Sequence, residues 1–421
     1  MSISVVDFFS QKDEFSHIAS YIDDDSHLAF SLTCVAARDL IVSLKKPLKT
    51  THKSVIYSTE LIAWAISTGA HPDDLAYVAS KELPSIEILN YFLQLGLKNS
   101  LYSVCNKSAG TGNLPILQWA HDNGLPWDRY TCVAAASGGH LETLKYAHEH
   151  GCPCDEYTCD YAASGGHLEV LQYLHENDCR FDEGTISKAA LNGHLYVMQY
   201  LMKYGSPLNE NTFTRAVQGG HLHVLEWLHI KNCPFDTQAV WEYGGLLGNL
   251  NVIKWLHSIE CPGIEDVWCY ASEAGHINIL HWLHENRFSM KIDGVILIAA
   301  QYGHFDIIKW AYAIEPVLHK DICTYSAKGG YLDILQWARE QGCDWDKKTC
   351  EQAAFGGHLD VLQWARENGC PWDKNTSAQA AFGGHLDVFK WTIENGCPCD
   401  INIICELTEN GGFNRNGHTK K

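Results

Sequence analysis

The chain is predicted to be an all-α solenoid of stacked two-helix units, preceded by a small helical segment. Three observations predict it. A glycine followed by a short helix-opening run, most often Gly-His-Leu, returns every 27 or 28 residues from Gly112 to Gly384. Apolar residues between these glycines fall at helical spacing on one face, and aspartate or asparagine recurs at one phase as a helix cap. A fixed period of this size means copies of one small unit, each unable to bury its apolar face alone. Such an array offers a long surface to partners rather than a dedicated catalytic pocket.

The stretch from Asp155 to Cys179 serves as the type copy. Asp155 is a good N-cap, repeated as Asp128, Asp182, Asn209, Asp236, Asp346, Asp373 and Asp400. The first helix is expected over residues 156–164, ending in Ala162 and Ala163, whose small side chains permit close helix approach. Gly165 and Gly166 reverse the chain, since glycine accepts the positive φ of such a turn. The second helix is expected over residues 167–177, with Leu168, Val170, Leu171 and Leu174 forming its apolar face. A glycine closes it in most copies, for example Gly151 and Gly342, and Cys-Pro plus an aromatic follows in several.

Seven residues after each repeat glycine stands an aromatic, from Trp119 and Tyr146 to Trp364 and Trp391. A stacking track for nucleic-acid bases is one reading. An inter-repeat packing spine is the other, favoured by the acidic chain and the apolar neighbours. Trp64 and Tyr91 carry the same phase back into two weaker copies.

The pattern Ala162-Ala163, Gly166-His167-Leu168 and Leu174 resembles the ankyrin repeat. The family's Thr-Pro-Leu-His opening is reduced to Tyr157-Thr158-Cys159-Asp160, and the unit is about six residues shorter than the usual 33. The missing piece falls where ankyrin repeats carry a β-finger. The resemblance therefore implies an ankyrin-type helical solenoid with short or absent β-fingers, about twelve copies over residues 57–412. Such shortened arrays are similar to ankyrin-repeat proteins of giant amoeba-infecting viruses and amoebae. A polar tail, residues 413–421, follows.

Residues 8–45 lie outside the repeat and resemble an F-box, with 46–56 as linker. The resemblance rests on Asp13-Glu14-Phe15, Ile18-Ala19-Ser20-Tyr21-Ile22, Ser31-Leu32-Thr33-Cys34 and Arg38-Asp39-Leu40-Ile41. It implies docking onto the linker subunit of a cullin–RING ubiquitin ligase through Phe15, Ile18, Tyr21, Ile22, Leu28 and Leu32. The family's opening Leu-Pro is absent, and Ala37 stands where tryptophan is common. A plain helical cap over the first repeat is the competing reading.

Composition narrows the partners. Lys plus Arg is 31 against 50 Asp plus Glu, a net charge of −19. That balance argues against nucleic acid and anionic membranes, both of which select basic footprints. No run approaches the ~20 apolar residues of a membrane helix, and the N-terminus lacks a signal-peptide layout, so an intracellular, cytoplasmic protein is expected.

Seventeen cysteines fall mainly into two ladders: seven residues before the repeat glycine, and at the end of the second helix. Equivalent positions in neighbouring copies lie roughly 8–10 Å apart, beyond the ~7 Å Cα separation a disulfide tolerates. Reduced thiols acting as small apolar residues are expected. Histidines also form ladders, one per copy, too widely spread for a zinc ion that needs ligands at about 2 Å. No metal, cofactor or catalytic motif is expected, and the chain is read as a non-enzyme.

Five residues before each glycine the first helix varies most, and in ankyrin repeats this slot faces the concave groove. Tyr161, Lys188, Arg215, Tyr243, Tyr270 and Tyr325 form a stripe there, of residue types frequent in interface hot spots. Cations within an acidic body are suited to an acidic segment of a protein target. Trp241 and Trp268 in the middle copies point to the same region. The leading reading is an adaptor that captures a target and links it to a ligase; the alternative is a stand-alone binding scaffold or decoy. A simple solvated helix face is the bland reading of the stripe.

Overall fold

The computed structural model describes residues 56–399 apart from Thr68 and Lys320. Among the described residues are twenty-five α-helices, two short 3-10 turns and no strand. One helix, Thr59–Ser67, is followed by twelve successive helix pairs, from Pro72–Glu82 with Ile86–Gln94 to Lys374–Phe382 with Leu386–Glu394. The chain divides into two compact units, one ending at Leu208 and the other beginning at Asn209.

Each pair is built in the same way. In the type copy the helices are Glu156–Gly165 and Leu168–Glu176, within a residue or so of the expected bounds. Asp155 accepts the Thr158 backbone N–H at 3.3 Å, and the Thr158 hydroxyl accepts the Asp155 N–H at 3.3 Å. This reciprocal cap satisfies two otherwise orphaned donors. Asp128, Asp182, Asn209, Asp236, Asp346 and Asp373 cap their helices through the side-chain oxygen as well. The second helix buries Val170, Leu171 and Leu174, each contributing on the order of 1.5–3 kcal/mol by leaving water. First helices of neighbouring pairs pack closely on one another through buried Ala162, Ala163, Ala189 and Ala190.

The reversal between the two helices explains the repeat glycine. Gly166 sits at φ 76°, ψ 20°, and its N–H and that of His167 bond back to Ala163 and Ala162. A Cβ on Gly166 would stand 2.6 Å from Nδ1 of His194, the helix-opening histidine of the next copy. Two independent constraints thus select glycine: the left-handed backbone and the ring seated on it. At the end of the second helix only the first constraint holds. Asp178, Asn232, Glu260 and Arg287 adopt positive φ there without being glycine.

The cysteine closing the second helix has a defined task. Its thiol donates to the carbonyl of the capping residue 24 positions earlier: Cys152 to Asp128 at 3.1 Å, Cys179 to Asp155 at 3.2 Å, Cys233 to Asn209 at 3.3 Å and Cys397 to Asp373 at 3.2 Å. Ser206 occupies this slot in its own copy, and its buried Oγ has no hydrogen-bond partner. The shorter C–O bond of serine falls short where the longer C–S bond reaches.

The other cysteine slot, seven residues before the repeat glycine, lies in the interior. It holds Cys105, Cys132 and Cys159 early in the chain, then Ile186, Phe213, Trp241, Trp268 and Ile296, then Cys323 and Cys350, all buried. Trp241 and Trp268 are therefore core residues, contrary to the expectation that they mark a binding region. Trp241 is 1 % exposed and donates its indole N–H to the Pro262 carbonyl at 2.6 Å. The indole fills space that thiols leave to other side chains in the outer copies.

Two substitutions in denaturant titration separate the constraints on glycine. Gly151 has positive φ, and a Cβ added there would meet no atom within 4 Å. Gly151→Ala is therefore expected to lose only the left-handed penalty of about 1–2 kcal/mol. Gly166→Ala should lose more, the excess reading the His194 contact; equal losses would show the ring is not seated. Ser206→Cys should stabilise by about 0.5–1.5 kcal/mol, and a fall in Tm would refute the reach argument.

Candidate partner-binding surface

The six stripe residues stand on six first helices, all half-buried or exposed. In the first unit Tyr161 and Lys188 are brought together. The Lys188 ammonium lies 5.4 Å from the Tyr161 ring centroid and 3.6 Å from an Asp160 carboxylate oxygen. Asp160 is 7 % exposed, and its other oxygen accepts the Thr185 hydroxyl at 2.7 Å. Burial raises the Asp160 pKa, with the Thr185 hydrogen bond and Lys188 acting against that rise. Lys188 is thus held in place by a buried acid beneath it, with one aromatic face as its second support.

In the second unit Arg215 is exposed and donates to Gln218 on its own helix at 3.0 Å. Tyr243, Tyr270 and Tyr325 are partly exposed on three further first helices, with Ile298 occupying the same slot between the last two. The Tyr270 Cβ packs against Gly245 of the preceding copy, where an added Cβ would come within 2.7 Å. Tyr270 as a whole is half-buried.

Another exposed feature lies outside the stripe expected from the sequence. Tyr130 and Tyr157 open two consecutive first helices, 53 % and 49 % exposed, and the Arg129 guanidinium lies 5.1 and 5.3 Å from their ring centroids. Asp155 sits 3.6 Å from the same arginine. The signal for it is Arg129-Tyr130 and Tyr157 at one phase, a different slot from the most variable one.

The histidine ladder at the helix openings makes backbone contacts. His167, His194, His276, His304 and His358 each donate Nε2–H to a main-chain carbonyl of the preceding copy, at 2.9–3.0 Å. A carbonyl can only accept, which fixes a proton on Nε2. Among the described residues no group of three or more His, Cys, Asp or Glu is placed to hold a metal ion.

The aromatics seven residues after the glycine are half-buried. They meet the residue nine after the preceding glycine edge-on: Tyr173 with His148, Trp255 with His229, Trp282 with His257, Trp310 with His284, and Trp337 with Tyr312. These rings act as an inter-repeat spine near the surface. Where arginine replaces that histidine, it covers a loop tryptophan instead: Arg339 lies 4.4 Å from the Trp345 centroid and Arg366 4.1 Å from Trp372.

The two cysteine ladders, separate in the sequence, meet inside the copies that carry both: Cys132 with Cys152, Cys159 with Cys179, Cys323 with Cys343 and Cys350 with Cys370. The Cys159 and Cys179 sulfurs lie 2.7 Å apart. All described cysteines are free thiols. Burial pushes the Cys105 thiol up to about 12 and Cys233 up to about 11, so both stay protonated at neutral pH. A cavity of about 470 Å³ opens beside Cys179, bounded by His175, Arg180, Phe181 and Tyr204.

With that geometry in view, comparison with protein families adds one finding. Residues 132–175 match the family model described as ankyrin repeats (many copies). No curated protein matches the chain. The match spans most of two successive helix pairs, each with its Gly-His-Leu reversal. The fold is all-α and of ankyrin type, its helix pairs stacked in tandem without β-fingers among the described residues. Ankyrin repeats indicate a protein–protein interaction scaffold. None of the described helices is long and apolar enough to cross a membrane. The F-box-like segment, including Phe15, Ile18, Tyr21, Ile22, Leu28 and Leu32, lies outside the described residues, as does the polar tail.

Replacing Tyr243 and Tyr270 together with alanine should reduce recovery of co-purifying protein from the intact chain. Since each retains its Cβ and both rings are partly exposed, unfolding free energy should move by less than about 1 kcal/mol. A large stability loss would place the two rings in the core instead.

Proposed function

We propose that the protein is a substrate-recognition adaptor: its first-helix stripe captures a target protein, and residues 8–45 dock on the linker subunit of a cullin–RING ubiquitin ligase. The observation that carries the capture half is the Tyr161–Lys188 pair, a cation fixed over an aromatic by a buried acid. Preorganised Tyr and cationic side chains lose little conformational entropy on binding, which favours their use as anchors. The preferred target segment is acidic, since Lys188 and Arg215 are local cations on a body of net charge −19. The protein itself transfers nothing. The docking half is supported by the F-box resemblance of the sequence alone.

The test uses the full chain. Immobilised protein is incubated with purified linker subunit, beside variants carrying Ile18→Asp or Leu28→Asp. Retention by the parent and loss in the variants is expected. If the folded parent retains no linker subunit, the adaptor reading fails and a stand-alone scaffold or decoy takes its place.

A further inference from the structure

We propose that Cys159 and Cys179 form a redox-active dithiol, a modification site at which hydrogen peroxide closes a reversible disulfide between the first helix of one repeat and the loop after its second helix. Two thiols can form a bond only if their sulfurs approach to about 2.05 Å with little backbone movement. Cys159 and Cys179 start with their sulfurs 2.7 Å apart. The equivalent pairs Cys132–Cys152, Cys323–Cys343 and Cys350–Cys370 also interact thiol to thiol, but Cys132 and Cys350 have their close sulfur contact with the partner's carbonyl, at 3.7 and 4.0 Å.

Access separates the pairs as well. Cys370 is fully buried and Cys152 is 1 % exposed, whereas Cys179 is half-buried on the wall of the 470 Å³ cavity beside His175, Arg180 and Tyr204. Cys159 is buried behind it. Cys179 is therefore the more accessible residue of the two and Cys159 lies behind it, the arrangement of an attacking and a resolving cysteine. The proton placement agrees. The Cys159 thiol donates to the Cys179 sulfur, which lowers the Cys179 pKa and raises that of Cys159. Burial first, and then the neighbouring carboxylates Asp155, Glu156 and Asp160, work against that lowering at Cys179.

The chemistry balances without a metal. Cys179 releases its thiol proton, and its sulfur attacks one peroxide oxygen. The O–O bond breaks, the departing hydroxide takes up that proton as water, and Cys179 becomes a sulfenic acid. The Cys159 sulfur then attacks the Cys179 sulfur; the S–O bond breaks, and the hydroxide leaves as water with the Cys159 proton. Two thiols and one peroxide yield one disulfide and two waters, and a small dithiol reductant reverses the step. The hydrogen bond from Cys179 to the Asp155 carbonyl, 3.2 Å in the reduced form, is given up on oxidation.

The test treats the intact folded chain with hydrogen peroxide, then blocks remaining thiols and maps peptides by mass spectrometry. The expected result is loss of both free thiols at 159 and 179, a linked peptide pair, and full recovery on reduction, before any change at Cys350 and Cys370. In Cys159→Ser the sulfenic acid at Cys179 should persist and be trapped by a dimedone-type reagent. Oxidation of the parent at Cys350–Cys370 first, or no 159–179 link while circular dichroism stays native, overturns the proposal. The parent measurement decides the matter even if the variant does not fold.

Discussion

The seating of one imidazole on the glycine of the preceding copy is the contact on which the rest of the array depends. His194 occupies the space a Cβ would take on Gly166, and its Nε2–H bonds the Ser164 carbonyl at 3.0 Å. The same ring thus excludes every other residue from the glycine slot and satisfies a carbonyl at the end of the neighbouring first helix. A hydrogen bond of this kind contributes about 0.5–1.5 kcal/mol net, so the ring contributes by hydrogen bonding as well as by packing. Variants of the contact keep its geometry: Tyr331 covers Gly303, and Asn249 reaches Gly220.

Much of the fold was legible because its signals repeat. A single Gly-His-Leu is weak, yet at a fixed phase it locates the reversal in every clear copy. The caps were equally readable, since Asp155 and its counterparts bond the helix N-termini directly. The interior slot was harder. Cys, Phe and Trp share it, so tryptophans at 241 and 268 looked like exposed recognition residues, when the structure shows them filling the interior. Residue type alone does not reveal which face a large ring occupies; the phase relative to the glycine does.

The cysteines carry a similar lesson about what a one-dimensional pattern leaves out. Distances between equivalent positions in successive copies follow from the helix diameter and correctly separate each ladder. Two ladders on different helices approach across the turn of one copy, and that approach depends on how the loop folds back. Cys159 and Cys179, twenty residues apart, meet for this reason. Lys188 gives the counterpart on the surface: the sequence places it in the variable stripe, and Asp160, buried at the adjacent slot, anchors it from below.

The positions that close the second helix hold a consequence of another kind. Gly151 and Gly342 take a left-handed conformation there, and so do Asp178, Asn232, Glu260 and Arg287. The backbone bend at these corners is held by the hydrogen bonds that close the helix, such as Cys179 N–H to the Leu174 carbonyl and Phe288 N–H to the Leu283 carbonyl, because side chains that disfavour it are nevertheless kept in it. Each such corner is a small reservoir of steric tension spread along the chain. Copies that carry glycine there are relaxed, copies that carry arginine or glutamate are sprung, and the local readiness to open under mechanical pull should differ from unit to unit accordingly.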